Sequence, residues 1–401
     1  MLLEARLEKM IGELRRRAAL PVSIELWNGK RYALADLASV TVRIPRAASL
    51  RYFLNPDLAS LGEAYVEGHV DVEGPIGEVL RAAEALSRAW GAAKKGRLPL
   101  LRNLHSRKRD AEAIRYHYDV SNDFYGLWLD RNMVYSCAYF KTGGEDIDTA
   151  QEQKLDHVCR KLRLAPGDRL LDIGCGWGAL VRWAARHYGV DATGVTLSRN
   201  QHALAEERIR AEGLQGRCRV LVQDYRDIPG EGVYDKIASI GMFEHVGLKN
   251  LPLYFGAIRR LLKDGGIVMN HGITAADSES RWVGLGGGEF VDKYVFPHGE
   301  LPHIGLVLRE LTGANLEVMD VETLRLHYAK TLWRWSERLE ANLARAREHA
   351  GEKRLRIWRT YLAGSAHAFE QRWVSIHQVL AVKSARPQDN PLPWTRSWIY
   401  A

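Results

Sequence analysis

Cysteine is scarce in this sequence, and its spacing does not suggest a structural role. The four cysteines, Cys137, Cys159, Cys175 and Cys218, are irregularly spaced and form no C-x-x-C pair. Neither a zinc site nor a disulfide framework is indicated, and no metal site is predicted. A reducing cytoplasm is the simplest setting for such a chain.

Long apolar runs are also missing. The first twenty residues space Leu3, Leu7, Ile11, Leu14 and Ala18 as a helical stripe, with acidic and basic residues in between. Because this segment lacks the uninterrupted apolar core of a signal peptide or a membrane span, we interpret it as an ordinary first helix. Anchoring to a membrane surface is the alternative. The chain shows no internal repeat and no low-complexity tract.

The composition is that of a globular protein long enough for two domains. Of its 401 residues, 46% are hydrophobic and 26% are charged, and the formal net charge is +8. This excess of basic residues favours an anionic partner, which could be nucleic acid, a phospholipid surface or an acidic metabolite.

Two regions of different pattern precede the main domain. Residues 1–92 change from the helical stripe to the two-residue alternation of strands, with a hairpin turn at Asn28-Gly29, and predict a small α+β domain without a catalytic constellation. Residues 93–112 form a basic linker, which is either solvated or in contact with anionic phospholipid headgroups. No nucleic-acid recognition module accompanies the linker, which argues against nucleic acid as the partner.

Strands alternate with helices in the third region, 113–401. The segments "DRLLDI", "GCGWG" and "ALVRWAARHY" indicate a strand, a tight loop and a helix, and the alternation repeats through "CRVLVQD", "YDKIASIGMF" and "GGIVMNHGI". This pattern predicts an α/β fold with a Rossmann-like parallel sheet covered by helices. Two long helical patterns rich in Trp and Arg lie within an insertion at about 275–372. They are "HYAKTLWRWSERLEANLARAREHA" and "EKRLRIWRTYLAGSAHAFEQRW", separated by Gly351, and they predict a helical cap over one end of the sheet.

The glycine loop and the acid before it indicate the cofactor. Gly174, Gly176 and Gly178 follow a G-x-G-x-G spacing rather than the dinucleotide spacing, and Asp172 lies in the strand just before them. An acid at this place suits a ligand with a cationic amine better than it suits a pyrophosphate. The sequence therefore favours S-adenosylmethionine (SAM) over NAD.

The ends of the next two strands offer contacts for the nucleoside. Many SAM-dependent methyltransferases carry an acid after the second strand, which is missing here, but Gln201 could make the same hydrogen bonds to the ribose without charge. Asp224 and Tyr225 suit the adenine amino group and ring face, with a capping or turn role as the alternative for Asp224.

Seven motifs follow one another in an order that identifies a family. They are "YHYDVSNDFYGLWLD", "YSCAYF", "LLDIGCGWG", "GVTLSRNQ", "SIGMFEHVG", "YVFPHGELP" and "HYAKTLWRW". In this order, over roughly residues 110–385, the chain resembles the cyclopropane-fatty-acid synthase family, which includes the mycolic acid cyclopropane synthases. The N-terminal unit resembles the small lipid-handling domain of bacterial phospholipid cyclopropane synthases.

The resemblance implies a reaction and its setting. The methyl group of SAM would be transferred to a cis double bond of a phospholipid acyl chain, and proton loss to a bound bicarbonate would close a cyclopropane ring. The implied partner is unsaturated phospholipid at the inner face of the membrane, reached by a cytoplasmic, peripherally associated protein, and a homodimer is expected by analogy with members that dimerise. Three alternatives stay open: synthesis of a methyl-branched or methylene fatty acid, N-methylation of a small molecule, and a catalytically silent lipid-binding protein.

The resemblance also implies which residues act. The bicarbonate cage would be formed by Glu244, Cys137, His271, Tyr328 and the backbone of Ile273. Glu244 would accept the bicarbonate O–H and orient the ion, whereas core packing is the alternative for Cys137, His271 and Tyr328.

For SAM, the resemblance implies that Tyr135 and Ser136 lie near the methionine end and that the loop of Gly174 and Gly176 packs closely against the cofactor. Together with Asp172, Gln201, Asp224 and Tyr225, these residues form the predicted cofactor site.

Overall fold

In the computed structural model, the described residues are 11–13, 15–16, 20–53, 56–89, 121–279, 287–297, 299–384, 386 and 390–400. The predicted basic linker 93–112 and most of the predicted first helix lie outside the described residues. Two separate sheets organise the rest, one in the N-terminal part and one in the main domain.

A four-stranded sheet occupies the N-terminal part. Its strands are β1 (Val22–Leu26), β2 (Arg31–Ala33), β3 (Val40–Ile44) and β4 (Asp71–Glu73), in the spatial order β2-β1-β3-β4. The predicted hairpin turn joins β1 to the antiparallel β2, and Gly29 supplies the positive φ of 81° that this turn requires. A 3-10 helix at Ala47–Phe53 and α-helices at Leu58–Val66 and Ile76–Ala89 complete this small α+β domain.

A seven-stranded sheet forms the centre of the main domain. Its strands are β5 (Arg169–Ile173), β6 (Asp191–Thr196), β7 (Cys218–Val222), β8 (Tyr234–Ile240), β9 (Leu262–Ala275), β10 (Glu317–Thr323) and β11 (Val374–Val382), in the order β10-β11-β9-β8-β5-β6-β7. Strands β5 to β9 pair in parallel, which confirms the predicted α/β sheet. The last two strands are antiparallel: β11 pairs with β9, and β10 pairs with β11.

Helices cover this sheet and build the cap. The described α-helices of the main domain are Asn122–Gly126, Ile147–Lys161, Ala179–Tyr188, Arg199–Ala211, Leu251–Leu261, Gly287–Tyr294, Ile304–Gly313, Arg325–Glu340, Leu343–Glu370 and Ser397–Tyr400, with 3-10 helices at Tyr225–Asp227, Phe243–His245 and Leu248–Asn250. Gly351, which separates the two long helical patterns in the sequence, has a φ of 76° and kinks the helix Leu343–Glu370 at that point. An additional break, which the sequence did not predict, falls at residues 341–342.

The tryptophans of the cap helices pack against aromatic side chains of the sheet domain. Trp128, which follows the helix Asn122–Gly126, is fully buried, and its ring centroid lies 5.6 Å from that of Trp335 and 5.3 Å from that of Trp358. The described part of the motif "YHYDVSNDFYGLWLD" is therefore core packing between the sheet domain and the cap. Within the described ranges, no helix combines the length and the apolar character needed to cross a membrane.

Ion pairs attach the N-terminal domain to the long helix Leu343–Glu370. Arg356 lies 2.6 Å from Asp71 and donates to the backbone oxygen of Tyr65 at 2.9 Å. Further along the helix, His367 lies 2.6 Å from Glu84. The Arg356 side chain is 15% exposed and that of Asp71 is 46% exposed, so this contact between the two domains is half-buried.

Candidate active site

Two cavities meet near the carboxyl ends of the parallel strands. The smaller has a volume of about 280 Å³ and the larger about 820 Å³. Both are lined by Tyr135, Ser136, Gly241 and His245, so the two cavities are adjacent and share these wall residues. Ligands of open α/β sheets bind at this end of the strands, which makes the pair the candidate site.

The smaller cavity brings the predicted cofactor residues together. All eight line it: Tyr135, Ser136, Asp172, Gly174, Gly176, Gln201, Asp224 and Tyr225. The glycine loop turns sharply here, and Gly174 has a φ of 81°. A Cβ atom at Gly174 would lie 2.9 Å from Cγ of Met242, so any larger residue would push into the loop that follows β8.

Asp172 is the buried acid of the smaller cavity. Its side chain is 3% exposed, and among the described residues Oδ1 has no hydrogen-bond partner. Burial raises the pKa of Asp172 to about 7, and the positive charge of Lys154 opposes this rise. A carboxylate oxygen with no partner in a cavity wall fits the cationic amine of the methionine part of SAM.

Lys154 was missed by the sequence reasoning. It lies on the helix Ile147–Lys161, is 1% exposed, lines the smaller cavity and donates from Nζ to Oγ of Ser136 at 2.9 Å. Burial lowers its pKa to about 8, against the attraction of Asp130 and Asp172. The one sequence signal for this role is a lysine on the inward face of a helix. That signal is weak because nothing in the sequence connects Lys154 with the glycine loop.

The side chains predicted to contact the nucleoside already have hydrogen-bond partners within the protein. Asp224 caps the 3-10 helix Tyr225–Asp227 by accepting from the backbone N of Arg226 at 2.9 Å, and its other oxygen lies 2.7 Å from the Arg226 guanidinium. The capping role is thus present, and the contact with adenine stays a prediction. Gln201 is buried, with Oε1 accepting from the Thr196 hydroxyl at 2.7 Å, and its role toward the ribose likewise stays a prediction.

The larger cavity brings the predicted cage residues together. Glu244, Cys137, His271, Tyr328 and Ile273 all line it. Glu244 lies in the 3-10 helix Phe243–His245 directly after β8, is 8% exposed, and accepts from the backbone N of Ile273 through Oε1 at 2.7 Å. Within the described part of the chain its Oε2 has no partner. Burial raises the pKa of Glu244 to about 7.

His271 lies on β9 beside Glu244 and is fully buried. The amide nitrogen of Gln378 is 3.4 Å from its Nδ1. Nε2 has no partner among the described residues. Burial, together with the charges of Lys154 and Lys161, lowers the pKa of His271, which favours a neutral ring.

The other cage residues have structural roles as well. Cys137 is fully buried, burial raises the pKa of its thiol, and Sγ lies 3.2 Å from the backbone oxygen of Ala138. It is therefore a neutral S–H donor and not an activated nucleophile. Tyr328 packs its ring 4.8 Å from that of Phe369. The backbone N–H of Ile273, predicted to face bicarbonate, is bonded to Glu244 in this structure.

Comparison with known proteins gives concordant matches. A family model described as mycolic acid cyclopropane synthetase matches residues 105–379, and a domain of unknown function matches residues 11–91. A probable fatty acid methyltransferase of Pseudomonas putida is 50% identical over 385 residues, covering 95% of this chain and 96% of that protein. The cyclopropane-fatty-acyl-phospholipid synthase of Escherichia coli K12 is 33% identical over 371 residues, covering 90% and 92%. A mycolic acid cyclopropane synthase crystallised with SAH and CTAB is 34% identical, with a TM-score of 0.65 over 68% of this chain and 98% of that chain.

Proposed function

This chain belongs to the mycolic acid cyclopropane synthetase family of SAM-dependent methyltransferases, and we propose that it converts a cis double bond of a phospholipid acyl chain into a cyclopropane ring. The observation that supports this proposal best is that a cavity with the charged side chains of Lys154 and Asp172 in its wall adjoins a larger and mainly apolar cavity. A charged cofactor and a hydrocarbon chain need opposite surroundings, and the shared wall at Tyr135, Ser136 and Gly241 allows their reacting atoms to meet.

SAM, when bound, supplies an electrophilic methyl group. The smaller cavity would hold the methionine amine of SAM at Asp172 and the rest of its methionine part against the Gly174 loop. Lys154 keeps Ser136 in place. An alkene is a weak nucleophile, so the protein's contribution is positioning and the exclusion of stronger nucleophiles. The protonated thiol of Cys137 fits this requirement, because a thiolate beside the methyl group would be alkylated.

Ring closure needs a base near the new methyl group. Bicarbonate, when bound, would supply that base. The donor set fits such an anion: Nε2 of His271 and the thiol of Cys137 offer hydrogens, and Oε2 of Glu244 offers an acceptor for the single O–H of the ion. Glu244 would orient the ion through Oε2, while the backbone N–H of Ile273 holds its Oε1.

The proposal is tested by incubating the full chain with SAM, bicarbonate and vesicles of cis-unsaturated phospholipid, followed by mass spectrometry and proton NMR of the lipids. We expect acyl chains that gain one CH₂, lose their olefinic protons and show upfield cyclopropane protons. Unchanged lipids, with SAM still bound, would contradict the proposal and favour a small-molecule N-methyltransferase.

A methyl-branched or methylene product is the second candidate, because the Pseudomonas putida relative is named a probable fatty acid methyltransferase. Such a product requires the cationic intermediate to lose a different proton. In the same NMR spectrum it would show new methyl or exomethylene signals in place of the cyclopropane protons.

A further inference from the structure

The interior of the N-terminal domain is hollow and continuous with the active site. The larger cavity extends from Glu244 and His271 into the space between the four-stranded sheet and the helices Leu58–Val66 and Ile76–Ala89. We call this extension the N-terminal chamber, and its walls include Val22, Ile24, Val40, Val42, Leu61, Val79, Ala82 and Leu86.

The chamber walls are built for hydrocarbon. Among the described lining residues between 20 and 86, Tyr65 alone carries a polar side-chain atom, and its hydroxyl accepts from Arg359 at 3.0 Å. None of the side chains that the structure describes in this part of the wall is charged. A phospholipid headgroup would lose its hydration here without compensation, whereas an acyl chain would gain from burial.

An unfilled space is unusual at this position. Protein cores are close-packed, and a small domain buries little apolar surface, so a cavity in its core costs a large share of its stabilisation. On the inward face of β3, Val40 and Ile44 are buried, but Val42 between them is partly accessible because it faces the chamber. Apolar cavities of this kind stay dry and take up apolar ligands.

One helix contacts both the N-terminal domain and the part of the cavity that contains Glu244. Arg356 and His367 on the helix Leu343–Glu370 bind Asp71 and Glu84 of the N-terminal domain. The same helix contributes Tyr361 and Ala368 to the cavity wall beside Glu244. A rigid element thus connects the two parts of the cavity, and a chain that enters one part can extend into the other.

We propose that the N-terminal chamber receives the methyl-terminal half of the reacting acyl chain, so that this domain selects the length of chain beyond the double bond. The inference rests on the proposed function, because it assumes an acyl substrate. The polar headgroup stays outside, and the double bond stops at the junction beside Glu244. Chain length beyond the reacting carbons is then measured by the depth of the chamber.

The first test alters the chamber and compares two lipids. Val42→Phe narrows the chamber, and Thr41→Phe adds the same ring to the opposite face of β3 as a matched control. The substrates are phosphatidylcholines with one palmitoleoyl or one oleoyl chain, which differ by two methylenes beyond the same double bond, and with a constant saturated chain. We expect Val42→Phe to lower the oleoyl-to-palmitoleoyl ratio of kcat/KM by about tenfold or more, and Thr41→Phe to leave it unchanged. A folded, active Val42→Phe protein with the wild-type ratio would overturn the inference, as would an equal fall of the ratio in Thr41→Phe.

The second test needs no turnover. A phosphatidylcholine with a diazirine at the methyl end of its monounsaturated chain is photolysed in vesicles with the wild-type protein, and labelled peptides are identified by mass spectrometry. Labels within residues 20–86 support the chamber, even if no lipid is modified and the proposed function fails. Labels confined to residues 287–376, or no label at all, would overturn it.

Discussion

Glu244 and Ile273 are joined by a hydrogen bond of 2.7 Å between a carboxylate oxygen and a backbone N–H on the neighbouring strand β9. The bond fixes one oxygen of an acid that lines the larger cavity, and the other oxygen, Oε2, has no hydrogen-bond partner among the described residues. A buried carboxylate held in this way is positioned to orient a small partner, which is the role proposed for it.

Glu244→Gln should keep the fold and the binding of SAM and reduce turnover by a factor of about 100 or more, because the amide no longer accepts the proton-bearing oxygen as a carboxylate does. Turnover of lipid and SAM affinity by calorimetry are the measurements. Glu231→Gln, an exposed acid, is the control and should behave as wild type. Near-normal turnover of Glu244→Gln would show that the residue does not orient the base.

Stability should depend on pH through the same residue. The folded-state pKa of Glu244 is raised from 4.5 to about 7, so its protonated form is favoured on folding. The stabilisation is fully present below pH 4.5 and is lost as pH rises through about 7, by an amount on the order of 3 kcal/mol. Denaturant unfolding of the ligand-free protein at pH 5 and pH 8 measures it. The loss between these two pH values should be smaller in Glu244→Gln; an equal loss would contradict the assignment.

Asp172→Asn should weaken the binding of S-adenosylhomocysteine by about tenfold or more, because a charge-assisted contact with the methionine amine is lost. Methylthioadenosine, which lacks that amine, should bind the variant and the wild type equally well. Calorimetry with both ligands separates the two outcomes. A parallel loss for both ligands would mean that Asp172 supports the glycine loop and does not contact the amine.

Lys154 should control the charge of Asp172. In Lys154→Met the acid loses its nearby cation, its pKa rises further, and S-adenosylhomocysteine affinity at neutral pH falls by about tenfold. Raising the pH should restore part of the affinity as Asp172 ionises, and Lys154→Arg should retain most of it. A loss in Lys154→Met that is independent of pH would indicate a packing role only.

Local signals in the sequence predicted much of the fold. The hairpin at Asn28-Gly29 and the strand before Gly174 were recognised because turn chemistry and strand burial depend on neighbouring residues. The kink at Gly351 was likewise marked by a local signal, because glycine readily adopts the positive φ found there. The additional break at residues 341–342, where Asn342 donates to the backbone oxygen of Arg338, carries no such signal.

The sequence by itself determined the family, the parallel α/β sheet and the residue types of the site, since ordered motifs and strand periodicity are written along the chain. Only the tertiary structure decided which distant groups meet. It brought Lys154 to Ser136 and bonded Ile273 to Glu244. It also joined the hollow N-terminal domain to the catalytic cavity. These contacts depend on how helices and sheets pack together in space. A local sequence pattern does not specify which residues from separate elements come into contact.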